Sequence, residues 1–216
     1  MSDDGPRVID VPSRTLPPND DQPLRVAMKK VATALKGANV PFALSGGYAS
    51  WARGGTEPMH DVDFVLLEDD LPHALRVLES VGMRVDEPPE DWLVKVYDGD
   101  CLVDLIFAPS DRPVTREQLD QADEMRVDSV RMPVQTATDL MVAKLLVLNE
   151  HYCDFARLFP HVRALREQVD WPALQEHVEH SPFARAFLAL CGELAILPDA
   201  DAVARQAEAA DVGGPG

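Results

Sequence analysis

Three stretches of the 216-residue chain carry residue types that could do chemistry together. Ser45-Gly46-Gly47 ends a short apolar run, Phe42-Ala43-Leu44. Beyond residues 48–60 comes Asp61-Val62-Asp63-Phe64, in which two acids alternate with two apolar residues. Side chains on a strand change face at every step, so Asp61 and Asp63 share one side while Val62 and Phe64 enter a core. Adjacent carboxylates repel unless a cation sits between them. An all-oxygen ligand set suits a hard divalent ion. The glycine pair lets a backbone turn approach a phosphate closely. The third stretch, Cys101 to Phe107, reads CLVDLIF and sets Asp104 between Val103 and Leu105. A charge there is costly unless paired or metal-bound. Its partner is either Lys95 across a hairpin or a metal shared with Asp61 and Asp63. Three carboxylates at one sheet end can hold one or two Mg²⁺ ions about 3.5–4 Å apart, a clamp suited to in-line displacement at phosphorus.

The elements that must position these residues are legible in outline. Leu24, Ala27, Met28, Val31, Leu35 and Ala38 recur at helical spacing, and Gly37 closes that helix. Val40 to Leu44 is a short strand leading into the glycine turn, and Tyr48 to Arg53 begins a helix facing it. His60 to Leu67 is the second strand. Asp70-Leu71-Pro72 opens a helix that runs to Ser80 and stops at Gly82. Met83 to Val85 is a weak strand. Residues 92–107 read as a hairpin about the turn Asp98-Gly99-Asp100. A short helix is expected from Thr115 and a last strand over Val127 to Val134. Thr138 then caps a helix from Asp139 to Asn149, and further helical stretches cover 154–158, 162–169, 171–178 and 183–197.

This pattern predicts an α+β protein: a mixed sheet flanked by helices, followed by a C-terminal helical bundle. The expected organisation is a flexible arm at 1–23, an α/β domain at 24–134, a helical domain at 135–198 and a flexible tail at 199–216. No apolar run approaches a membrane span, and the start lacks the pattern of a secretory signal. Cys101, Cys153 and Cys191 form neither a disulfide framework nor a CxxC zinc site, so they read as thiols in a reducing cytosol and imply a cytoplasmic protein. The formal charge of −17 opposes a broad nucleic-acid-binding face and attracts a small cationic partner. Both ends of the chain contribute to it, carrying acids in excess of arginines and no lysine.

Gly46-Gly47, then Asp61-Val62-Asp63-Phe64, then Asp104 in an apolar strand resembles the nucleotidyltransferase superfamily of DNA polymerase β type. The likeness covers residues 24–110. Asp139 and Lys144 on the first helix after the sheet resemble the smaller bacterial members, namely AbiEii-type and mycobacterial nucleotidyltransferase toxins and the antibiotic nucleotidyltransferases. The segment Glu150-His151-Tyr152-Cys153 before Asp154 departs from them, because it lacks their usual Lys or Arg.

The resemblance implies a Mg²⁺-dependent enzyme that moves a nucleoside monophosphate from an NTP to an acceptor hydroxyl and releases pyrophosphate. Asp61, Asp63 and Asp104 would hold one or two metal ions. Ser45, Gly46, Gly47 and Arg53 would bind nucleotide, and Lys144 would both bind it and assist the chemistry. The acceptor would be a tRNA end or a protein hydroxyl for a toxin-type enzyme, which implies an antitoxin partner. It would be a small cationic molecule for an aminoglycoside-type one. A third reading keeps the fold as a non-catalytic binding partner.

Several residues carry two readings. Ser45 either donates to phosphate or bonds its own turn. Lys144 either neutralises triphosphate or lies along the surface. Arg53 and His60 either contact phosphate or sit in a solvated loop. Asp154 is either a base or second-ring partner, or a helix-start acid. His151, His161, His177 and His180 read as surface or cap residues, and Tyr48 as half-buried beside the nucleotide.

Overall fold

The structure is a computed structural model that describes residues 22–86 and 91–197. The arm and tail expected at 1–23 and 199–216 lie outside the described residues, apart from Gln22 and Pro23. Pro23 opens the first helix, α1 (Pro23–Gly37), where its missing N–H is no loss. The elements then run β1 (Phe42–Ser45), α2 (Gly46–Ala52), β2 (Asp61–Leu66), α3 (Leu71–Ser80), β3 (Arg84–Asp86), β4 (Leu93–Asp98) and β5 (Cys101–Ile106). They continue as α4 (Arg116–Asp120), β6 (Asp123–Val127), β7 (Val130–Val134), α5 (Ala137–Leu146), α6 (Phe159–Leu165), α7 (Trp171–Val178) and α8 (Pro182–Glu193).

The seven strands form one mixed sheet in the order β3-β4-β5-β2-β1-β7-β6. Strand β2 runs antiparallel to β1 and parallel to β5, while β1 runs parallel to β7. This is the expected α+β architecture with helices following the sheet. The core side of β2 is set by alternation: Val62, Phe64 and Leu66 are fully buried, and Val103 and Leu105 of β5 join them. Helices α1 and α3 cover that side through Met28, Val31, Leu35, Ala74 and Leu78. The same core continues into the helical segment through Leu140, Met141, Val162, Trp171 and Phe187. A smaller cluster of Ala43, Val65, Val114 and Leu119 lies beneath α4. No helix among the described residues is long and apolar enough to cross a membrane.

Three expectations need correction. Residues 123–134 form a hairpin, not one strand, because Asp128 and Ser129 both take positive φ, 40° and 77°, and reverse the chain. Such turns normally signal themselves by Asn-Gly or Asp-Gly. Helix α2 begins at Gly46 and not at Tyr48. Helix α5 is capped by Thr136, whose hydroxyl accepts from the Asp139 N–H, and not by Thr138, which instead accepts from the Asp170 N–H.

Phe64 ties the acid-bearing strand to this core and meets Phe42 edge-on at 5.6 Å. Phe64→Ala is expected to cost about 3–5 kcal/mol of stability. Urea denaturation checks this, and a change below 1 kcal/mol would show that β2 is not anchored here.

Candidate active site

Register brings the chemistry together. Ser45 pairs with Asp63 across β1 and β2, Asp63 with Asp104 across β2 and β5, and Asp104 with Lys95 across β5 and β4. These four residues therefore stand in one row on the side of the sheet away from α1 and α3. Lys95 is directly opposite Asp104, as the hairpin reading requires. Asp61, Asp63 and Asp104 each offer an oxygen, and these atoms lie within 4.8 Å of one another. Asp104 is 9% exposed.

That crowding has a measurable electrostatic result. Burial, and then the neighbouring charges of Asp61 and Asp104, push the Asp63 carboxyl from 3.8 up to about 7. The Gly47 N–H donates to it, and that bond together with Lys144 works in the opposite direction. The donor set fits a divalent oxygen-seeking cation: three convergent carboxylates, one held half-protonated near neutrality by burial and by its neighbours.

The glycine turn acts on the acids first. Gly46 has φ +57°, and a Cβ placed there would fall 1.7 Å from the Asp63 Oδ2. A Cβ on Gly47 would fall 2.7 Å from Pro58. Both glycines thus let the backbone close on the acid strand and the loop before it.

Lys144, on α5, is brought to the same place. Burial lowers its pKa, while Asp63 and Asp61 raise it. It lines a cavity of about 380 Å³ with Ser45, Gly46, Asp63, Gln135, Trp92 and Val147. A larger hollow of about 670 Å³ between α7 and α8 contains none of these residues. Chemistry, not size, picks out the smaller one.

Arg53 is not brought to this cavity. Its guanidinium donates to the Gln135 carbonyl at 2.8 Å and the Val134 carbonyl at 3.3 Å, and pairs with Asp123 at 2.5 Å. His60 is exposed at the approach to β2. Asp154 behaves as a helix-start acid: it accepts from the Ala156 N–H and pairs with Arg157 at 3.1 Å. Asp139 accepts the Thr136 hydroxyl at 2.7 Å.

His151, His177 and His180 are exposed. His161 is not: its Nδ1 lies 2.9 Å from the Ser50 hydroxyl. Burial, and then Lys144, lower its pKa to about 4. Tyr48 is fully buried rather than half-buried, and its hydroxyl is pushed by burial to about 12. Gln135 and Trp92 of the cavity wall carry no signal in the sequence, since only the folded chain sets them beside Asp63.

The chain has the nucleotidyltransferase fold. Among solved structures it is similar to ANT(2")-Ia in complex with adenylyl-2"-tobramycin, with a TM-score of 0.53 and 19% identity over 76% of this chain and 96% of that one. It is also similar to a putative nucleotidyltransferase from H. pylori, with a TM-score of 0.50 and 16% identity over 87% of each chain. No protein-family model matches the chain, and no curated protein matches it in sequence.

The elevated Asp63 pKa sets a pH dependence. Between pH 3.8 and about 7 the folded state keeps a proton that the unfolded state has released. This contribution to stability is therefore full below pH 3.8 and lost as pH rises through about 7. In EDTA, the urea midpoint should fall between about pH 4 and pH 7, and Asp63→Asn should flatten that fall. Mg²⁺ should restore stability most at the alkaline end. Equal slopes in both proteins would show that Asp63 titrates normally.

Proposed function

We propose that the chain is a nucleotidyltransferase that moves a nucleoside monophosphate from an NTP to an acceptor hydroxyl and releases pyrophosphate. The observation that carries this reading is the convergence of Asp61, Asp63 and Asp104 within 4.8 Å, with Lys144 at the wall of the adjoining cavity. Mg²⁺ held by these acids would supply positive charge for phosphate oxygens and favour ionisation of an attacking hydroxyl. The remaining work belongs to the chain. Asp61, Asp63 and Asp104 fix where the metal sits. Asp104, beside Asp63 in the row, would complete the metal site and help activate the acceptor hydroxyl. The Ser45-Gly46-Gly47 turn shapes the phosphate end, and Lys144 offsets phosphate charge. Arg53 serves by bracing the chain at Gln135. In this reading residues 24–134 carry the metal ligands and residues 135–198 supply the lysine that closes the cleft.

The acceptor is best read as a small molecule. A polynucleotide would need exposed cations beside the site. Two of the four arginines of the helical segment stand in local ion pairs, Arg157 with Asp154 at 3.1 Å and Arg166 with Glu167 at 2.9 Å. The overall charge of −17 favours a cationic acceptor, as in an aminoglycoside-type enzyme. The toxin-type reading, with a tRNA or protein acceptor, is the second.

Incubation with each labelled NTP, Mg²⁺ and a panel of aminoglycosides, total RNA and proteins tests both. Wild-type protein should label one acceptor class. Asp61→Ala and Asp63→Ala should abolish transfer while keeping the folded circular-dichroism spectrum. Transfer by these variants at the wild-type rate would overturn the mechanism.

A further inference from the structure

Gln135 follows β7 and is 7% exposed. Nearly all its polar groups are committed. Its N–H donates to the Leu44 carbonyl at 2.9 Å. Its carbonyl accepts from the Arg53 Nε at 2.8 Å. Its side-chain Oε1 accepts the Ser45 hydroxyl proton at 2.6 Å. What is left for the cavity it lines is the Nε2 amide with two N–H donors. Arg53 is itself held by Asp123 and the Val134 carbonyl, so the backbone beneath this amide is braced.

The pairing fixes the direction of recognition. With one lone pair of Oε1 taken by Ser45, the amide offers the cavity chiefly its two N–H donors. A ligand rich in acceptor oxygens makes the fullest use of them. The amide is bonded to Ser45, which pairs with Asp63 across the sheet, and all three line the cavity together with Gly46 and Lys144. There a neutral donor and a lysine stand beside acids that require a cation.

From this arrangement we infer that Gln135 is a substrate-binding residue that donates its side-chain amide to a phosphate oxygen of the bound nucleotide. Ser45 acts through it. Its hydroxyl proton is directed to Gln135, so it is a positioning residue that locks the amide, and the donor reaching phosphate is the glutamine. Arg53 supports the same unit from the backbone side. The inference rests on the nucleotidyltransferase reading and adds to it the group that holds the phosphates.

Mg²⁺–pyrophosphate and each Mg²⁺–NTP serve as probes, titrated by calorimetry against the full chain. Gln135→Met keeps length and removes the donor, while Gln135→Glu keeps the oxygen that meets Ser45. Either variant should weaken both probes about tenfold or more, the scale of a hydrogen bond to a charged group, with kcat changing less than KM. Ser45→Ala should weaken them about three- to tenfold. In the wild-type protein the Gln135 side-chain amide protons should shift in NMR spectra when Mg²⁺–pyrophosphate is added. Wild-type binding with unaltered affinity in a folded Gln135 variant would overturn the inference and leave the nucleotidyltransferase reading intact. An unmoved amide signal does the same even where neither variant folds. A wild-type protein that binds neither probe would overturn both.

Discussion

The mutual repulsion of Asp61, Asp63 and Asp104 is the constraint around which this structure is arranged. Their ligand oxygens lie within 4.8 Å, and burial, together with the charges of Asp61 and Asp104, raises the Asp63 pKa to about 7. No fold gathers like charges in this way without compensation. The chain supplies part of it: the Gly47 N–H donates to Asp63, and Lys144 is drawn beside the acids despite the burial that disfavours its own charge. The rest is a place for a cation. Gly46 belongs to the same solution, because any side chain there would collide with the Asp63 carboxylate.

Holding three charges in register demands a rigid support. A slip of one residue in any strand pairing would turn its acids to the opposite side of the sheet. The parallel pairing of β2 and β5 runs from Asp61 opposite Leu102 to Val65 opposite Ile106, and the alternate residues Val62, Phe64, Val103 and Leu105 are locked under α1 and α3. The apolar half of each strand thus decides where the polar half stands. On the other side, α5 is nailed by Leu140, Met141 and Leu145, and so delivers Lys144 to the row of acids.

Local patterns in the chain speak clearly and distant ones do not. Alternation around Asp61 and Asp63, and the apolar frame of Asp104, were enough to forecast three carboxylates on one side of a sheet. The β4–β5 hairpin announced itself by Asp98-Gly99-Asp100. The β6–β7 hairpin was hidden because its turn residues, Asp128 and Ser129, enter positive φ without a glycine. Arg53 read as a phosphate ligand because it follows the glycine turn; its partners Asp123, Val134 and Gln135 are brought to it only by the pairing of β1 with β7. His161 read as a surface residue, yet the approach of α6 to α2 sets it against Ser50. Contacts between segments 70 to 111 residues apart leave no periodic trace in the sequence.

On the proposed reading, Lys144 gives a physical reason for metal and phosphate to bind in one event. Its charge is disfavoured by burial and favoured by Asp63 and Asp61. A divalent ion bound to those carboxylates would cancel the field that sustains the ammonium. A ligand bringing negative charge of its own would offset that loss, so a metal-bound polyphosphate would stabilise the lysine where the metal alone would weaken it. The neighbouring imidazole of His161, held neutral by burial and by Lys144, avoids placing a second cation there. On the proposed nucleotidyltransferase reading, the cleft would favour a ligand that is anionic and metal-loaded together, which is the chemical form of an NTP.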